Sequence, residues 1–229
     1  MSLADRFRQL FSASSRRPRL SLEIRPDGIA WAGGSQSGFV ECTPAKRLAA
    51  LQGIVSSGRH GRAETTIVLP LDQYQVFQLD RPEGIEDDEL GDALKWKLKD
   101  FLDFSPSDAV CDVFPFPRDA ARGRGDLVNV VAVRRTLITE LVSLALEADL
   151  DLQRIDIAEL ALRRLVSHLD DSGRGAALVH LRDRYGHMVI CQGDTLYLSR
   201  RLDVTSDELR DVSSQEAAVQ SLALEMQRS

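Results

Sequence analysis

The sequence predicts a mixed α/β protein, because strand and helix signals alternate along nearly its whole length. Three observations carry that expectation. Short alternating apolar segments are separated by Pro-Asp-Gly and Gly-Asp turns, which mark hairpins. Between them lie segments with apolar residues three and four apart, the spacing of amphipathic helices. The order of three strands and a helix occurs twice, and a β-α-β-β-α stretch over residues 72–150 interrupts the first copy.

The alternation begins at Leu20. Leu20, Leu22 and Ile24 are separated by polar residues, Pro26-Asp27-Gly28 turns the chain, and Ile29 to Ala32 returns as a second strand. Phe39 to Cys42 predicts a third strand, and Ala45 to Ser56 a helix closed near Gly58 and Gly61. Thr65 to Pro70 is β-branched and reads as a buried strand.

The interrupting stretch opens with a strand at Gln75–Leu79. The segment from Ile85 to Pro117 follows, IEDDELGDALKWKLKDFLDFSPSDAVCDVFPFP, and carries more information than any other part of the chain. Acids open a helix in which Leu90, Leu94, Leu98 and Phe101 are spaced four, four and three apart, predicting one buried face. Trp96 points the other way, so this helix is expected to meet partners on two sides. Ser105-Pro106 breaks it before an aromatic strand. Val110 to Phe116 and Leu127 to Val133 read as strands, and Thr136 as the N-cap of a helix with Leu137, Ile138, Leu141, Leu144, Ala145 and Ala148 on one side.

Leu152 to Ile157 is again a strand, with Asp156 and Glu159 as a capping-box pair for the helix carrying Leu162, Leu165, Val166 and Leu169. Three strands follow at Ala176–Leu181, His187–Gln192 and Thr195–Leu202, which makes His180 and His187 cross-strand neighbours. A closing helix begins near Ser214 with Ala218, Leu222 and Met226 on one stripe. It reaches Ser229 without a capping residue or breaker, the expectation for a chain cut short relative to its relatives.

Composition narrows the function. The net charge is −6, and residues 1–19 hold five arginines against one acid, so the remainder is strongly acidic. That balance argues against a broad nucleic-acid surface. No apolar run approaches the ~18 residues that span a bilayer, and no signal peptide follows Met1. Cys42, Cys111 and Cys191 are odd in number and widely spaced, as expected of free thiols in the cytoplasm. The first eleven residues predict a short amphipathic helix, with Leu3, Phe7, Leu10 and Phe11 apolar and Arg6 and Arg8 placed for anionic headgroups. His60, His168, His180 and His187 are dispersed, and no phosphate-loop, HExxH or GxSxG motif occurs. The chain is therefore expected to work by contact, without catalysis, metal or cofactor.

The blocks ELGDALKWKLKDFLDFSPSDAVCDVFPF and LVNVVAVRRTLITELVSLALEADLDLQRIDIAELALRRL resemble PilM-family proteins, nearest the members serving the mannose-sensitive haemagglutinin (MSHA) pilus. The likeness runs over about residues 20–229. It implies an actin-like (RNase H-like) two-lobe fold. The first lobe would be 20–71 with 151–172, the inserted module 72–150 and a truncated second lobe 173–229, behind a basic tail at 1–19. It also implies a cytoplasmic protein, peripheral at the inner membrane, in the assembly platform of a type IV pilus or the related type II secretion machine. Such a protein holds the tail of a bitopic PilN- or MshJ-like partner and communicates with the assembly ATPase. By the same analogy Val76, Phe77, Leu79, Trp96 and Phe101 border the peptide groove.

Many PilM proteins bind ATP between their lobes, at hairpin turns that resemble D-I-G-S-S-S and D-I-G. The first turn here is Glu23-Ile24-Arg25-Pro26-Asp27-Gly28, and the second is His180-Leu181-Arg182-Asp183. Arginine replaces the first glycine, Pro26 lacks a backbone donor and Asp27 repels phosphate. The second turn has lost both its acid and its glycine. The nucleotide site (Glu23, Arg25, Asp27, Gly28, His180, Asp183) is thus expected to be degenerate. The alternative is an actin-like ATPase of the PilM class, and a polymerising cytoskeletal relative is a third reading.

Overall fold

Strand β1 (Arg19–Ile24) pairs antiparallel with β2 (Gly28–Gly33), which pairs with β3 (Gln36–Glu41). The protein is described here by a computed structural model covering residues 17–121, 123, 125–170 and 173–228. It divides into two units, the first ending at Ala158 and the second beginning at Glu159. The membrane-tail residues Leu3, Arg6, Phe7, Arg8, Leu10 and Phe11 lie outside the described residues.

In the first unit the chain passes from β3 through α1 (Arg47–Ser57) into β4 (Glu64–Leu69), which lies parallel to β1. The later β8 (Asp151–Ile157) is parallel to β4, giving the sheet order β3-β2-β1-β4-β8. The period-two pattern of β1 places Leu20, Leu22 and Ile24 on the buried face. Leu51, Ile54 and Val55 are the buried residues of α1.

The inserted module is a three-stranded antiparallel sheet of β5 (Tyr74–Asp80), β6 (Ala109–Pro115) and β7 (Leu127–Arg134), ordered β5-β7-β6. The buried strand β7 is central, and β5 and β6 are edges. Helix α2 (Asp87–Leu94) buries Leu90 and Leu94 and, with Leu98, packs on Val128, Val130 and Ala132. Gly91 makes this close approach possible, because a Cβ there would fall on the Cys111 carbonyl oxygen of β6.

Two expectations are corrected in the module. Phe101 does not join the Leu90, Leu94, Leu98 face; it is 65% exposed. After Leu94 the chain tightens into a 3-10 turn at Lys95–Leu98, and the Phe101 amide donates to the Leu98 carbonyl three residues back. A 3-10 residue advances about 120° instead of 100°, which shifts the phase of the stripe. Leu102 packs against the core in its place. Thr136 is not an N-cap either, because β7 runs directly into α3 (Arg135–Glu147) with Arg134 in the cap position and no side-chain cap.

The second unit contains nearly all of α4 (Ala158–Leu169), then β9 (Ala176–Leu181), β10 (Gly186–Gln192) and β11 (Thr195–Leu202) in the order β11-β10-β9. Gly193, at φ +54°, supports the tight turn between β10 and β11. A short helix α5 (Ser206–Arg210) was not expected. Thr205 and Glu208 form its capping box, a signature readable as Thr-x-x-Glu. In α6 (Gln215–Gln227) Ala218 is buried, whereas Met226, expected on the same stripe, is half exposed. The Arg200–Glu225 ion pair, 2.9 Å, ties α6 to β11.

Candidate partner-binding site

The β1–β2 turn is closed by its own side chains. Arg25 Nε and Nη2 donate to Glu23 Oε2 at 3.1 and 2.9 Å, and the guanidinium lies 5.2 Å from the Phe39 ring centre. Arg47 donates to the Arg25 carbonyl at 2.9 Å, and Gln73 to the Ile24 carbonyl at 3.3 Å. The Arg25 amide donates to the Gly28 carbonyl, and the Asp27 carbonyl accepts from the Cys42 amide. Gly28 is required by packing: a Cβ there would overlap the Val40 carbonyl and meet the Phe39 ring at 2.6 Å. Asp27 is exposed at the tip.

In the second unit His180 of β9 stands opposite His187 of β10 in the register. His187 is 1% exposed, and its Nε2 lies 2.9 Å from Ser199 Oγ. That hydroxyl donates onward to Glu159 Oε1 at 3.4 Å. Burial drives the His187 imidazole down to about 4, and His180 pushes it the same way. With so little exposure the ring is out of reach of a substrate. Beyond His180 the turn is closed by the Arg182 amide donating to the Tyr185 carbonyl at 2.9 Å, while the Arg182 carbonyl accepts from Ser206. Asp183 projects from this turn, exposed. Among the described residues no group of three or more His, Cys, Asp or Glu side chains is placed to hold a metal. Likewise no helix among them is long and apolar enough to cross a membrane.

The module offers a different kind of surface. Trp96 is 60% exposed, and with Phe101 and Phe39 it completes the exposed aromatic side chains among the described residues. Phe101 lies beside Phe77 of β5, with ring centres 6.1 Å apart and planes tilted by 49°. Phe77 and Leu79 are half-buried and pack against the module core. Val76, adjacent in an extended strand, faces the other side of the sheet, opposite Val131. Trp96 makes no ring contact with the others among the described residues.

The sequence reasoning missed three neighbours of this patch. Asp103 accepts from Gln75 Nε2 at 3.1 Å and from Arg134 at 2.8 Å, and Arg134 stacks 4.3 Å over the Phe104 ring. The repeated aromatic-acid pattern Asp100-Phe101, Asp103-Phe104 was the available signal. Asp103 thus reaches β5 through Gln75, and among the described residues β5 pairs with β7 alone, which leaves one row of its backbone groups outside the sheet ladder.

No protein-family model matches the chain, and no curated protein does. Solved structures do match. A PilM–PilN type IV pilus biogenesis complex aligns with a TM-score of 0.63 at 18% identity, covering 92% of this chain and 74% of that one. The cytoplasmic domain of EpsL, an inner-membrane component of the type II secretion system of Vibrio cholerae, aligns at 0.57 and 16% identity, over 84% and 74%. A protein of unknown function with an actin-like ATPase fold from Bacteroides thetaiotaomicron aligns at 0.51 and 12%, over 86% and 74%. At these identities the likeness establishes the fold, and the chain has the actin-like ATPase fold.

Proposed function

We propose that this protein is a non-catalytic scaffold that captures an extended peptide from a bitopic inner-membrane protein on the β5 side of its inserted module. The observation that carries the reading is the exposure of Phe101 beside Phe77 of the edge strand β5, with Trp96 exposed on the 3-10 turn that precedes it. An edge strand gives an incoming peptide backbone hydrogen bonds, and aromatic anchors beside it supply most of the side-chain energy. The likeness to PilM, solved with PilN, supports a PilN-like tail as the peptide. The likeness to EpsL supports a place on the cytoplasmic side of the inner membrane, in a type IV pilus or type II secretion assembly. We assign it to an MSHA-type pilus, with a link to the assembly ATPase and an additional peripheral membrane contact through residues 1–19.

The second reading, an ATP-binding member of the class, is favoured by the fold and opposed by the closed β1–β2 turn, where Glu23 pins the Arg25 side chain and Arg47 and Gln73 hold the backbone in place. Fluorescence anisotropy with the labelled cytoplasmic tail of the PilN-like partner tests the scaffold. Trp96→Ala is expected to weaken capture by about 2 kcal/mol, roughly thirtyfold, as an interface anchor does. Its melting temperature should match wild type, because the ring is mostly exposed. Wild-type affinity in the folded variant sinks the proposal.

A further inference from the structure

The 3-10 turn that carries Trp96 is also where the chain concentrates its lysines. Of its 29 lysine and arginine residues four are lysine, and three of those four are Lys95, Lys97 and Lys99. Lys95 is held by Asp92 at 2.7 Å. Lys97 and Lys99 are exposed and have no ion pair among the described residues. Of the acids next to them in sequence, Asp92 is taken by Lys95, and Asp103 by Arg134 at 2.8 Å. That leaves Asp100 alone to offset two ammonium groups. The turn sets these charges beside the aromatic anchors. Side chains three residues apart line up in 3-10 geometry, and the Lys99 amide donates to the Trp96 carbonyl at 3.4 Å, so Lys99 shares a column with Trp96. Two residues on, the Phe101 ring meets Phe77 of β5.

We infer that the segment captured here carries carboxylates next to its apolar anchor residues, and that Lys97 and Lys99 bind them. The inference rests on the scaffold reading above and deepens it by naming the charge of the partner segment. Charge complementarity selects the occupant, because an uncharged peptide leaves two ammonium groups unmatched and a basic one is repelled. The residue type points the same way. An ammonium on a flexible stem pairs with a carboxylate as a point charge, without the fixed fork of a guanidinium, which fits an exposed turn where neither partner is clamped. Lysine beside tryptophan also suits an anionic bilayer surface. Two features favour the peptide: Phe101 sits against the edge strand, and the exposed Asp100 would be pressed onto anionic headgroups. Charges at the rim of a contact set partner choice more than affinity, so the expected preference is modest and sensitive to salt.

The test uses the full chain and two capped ten-residue probes, read by fluorescence anisotropy. Both carry two adjacent leucines; one flanks them with two glutamates, the other with two glutamines, which keep the shape without the charge. Wild type is expected to prefer the glutamate peptide about fivefold at low salt, the scale of one or two exposed ion pairs. Most of that difference should vanish at about 0.5 M salt. The double variant Lys97→Gln, Lys99→Gln is expected to bind the two alike while keeping its melting temperature, because both side chains are exposed. Trp96→Ala should weaken both peptides alike and leave the preference intact. Equal binding of the two peptides by wild type overturns the inference, as does a preference retained in the double variant or no binding at millimolar peptide. Co-sedimentation with phosphatidylglycerol vesicles that the double variant loses, with its peptide binding unchanged, also overturns it and assigns the lysines to lipid. Capture of the partner's tail without any glutamate preference removes this inference alone. A glutamate preference with no effect of Trp96→Ala removes that aromatic anchor from the scaffold reading and leaves the lysines standing.

Discussion

His187 couples the stability of the second unit to pH. It sits on β10 with Ser199 Oγ at 2.9 Å, His180 across on β9, Arg201 across on β11 and Glu159 beyond the serine. Burial first, and His180 second, lower its pKa to about 4, below the ~6.5 of an unfolded chain. The unfolded state therefore binds the proton more readily between these values. Stability should be complete above about pH 6.5 and fall as pH drops toward 4, by up to about 3 kcal/mol from this group. Urea unfolding at pH 7, 5.5 and 4.5, followed by a probe in the second unit, measures the slope. His187→Gln, which can still bond Ser199, should flatten it; an equal slope in the variant would place the titration elsewhere. Cys191 shows the same physics without consequence for chemistry, because burial raises its thiol to about 11 and keeps it protonated and unreactive.

At the scale of elements, the approach of α2 to β6 depends on one missing methyl group. Alanine at Gly91 would place its Cβ on the Cys111 carbonyl, a backbone atom that cannot rotate away. Gly91→Ala is expected to cost about 1–3 kcal/mol by pushing helix from strand. Gly53 lies in α1 with nothing within 4 Å of its Cβ position, and Gly53→Ala should stabilise by about 0.5–1 kcal/mol. Thermal melts of the pair separate packing from helix propensity, and a destabilised Gly53→Ala would contradict the open space seen there. This is also the scale at which the sequence was most and least legible. Strands such as β1 and helices such as α2 announce themselves through period, because one face of each is buried. The change from α to 3-10 geometry after Leu94 leaves no periodic trace, so a helical period carried through Leu98 places Phe101 on the wrong face. The cap expected at Thr136 failed because β7 leaves no loop residue before α3.

At the scale of the whole molecule, each unit contains a hairpin whose turn the family resemblance assigns to phosphate, and each turn is held by partners from its own unit. The loss of glycine was legible in Arg25 and in Leu181-Arg182-Asp183. The partners that hold these turns were not, because they come from far along the chain: Arg47 reaches the Arg25 carbonyl across 22 residues, and Gln73 the Ile24 carbonyl across 49. A phosphate entering the first turn must displace the Arg25–Glu23 pair and those backbone contacts, with Pro26 offering no donor in return. A thermal-shift titration with Mg-ATP measures the outcome on the intact chain. A nucleotide at one hundred times its Kd would add about 2.7 kcal/mol, raising the midpoint by roughly 5–10 °C in a protein of this size. The expected shift at millimolar Mg-ATP is less than about 1 °C, within the scatter of such melts. A saturable rise would overturn the scaffold reading in favour of the ATP-binding one, and Arg25→Gly would then be expected to increase the rise by freeing the turn.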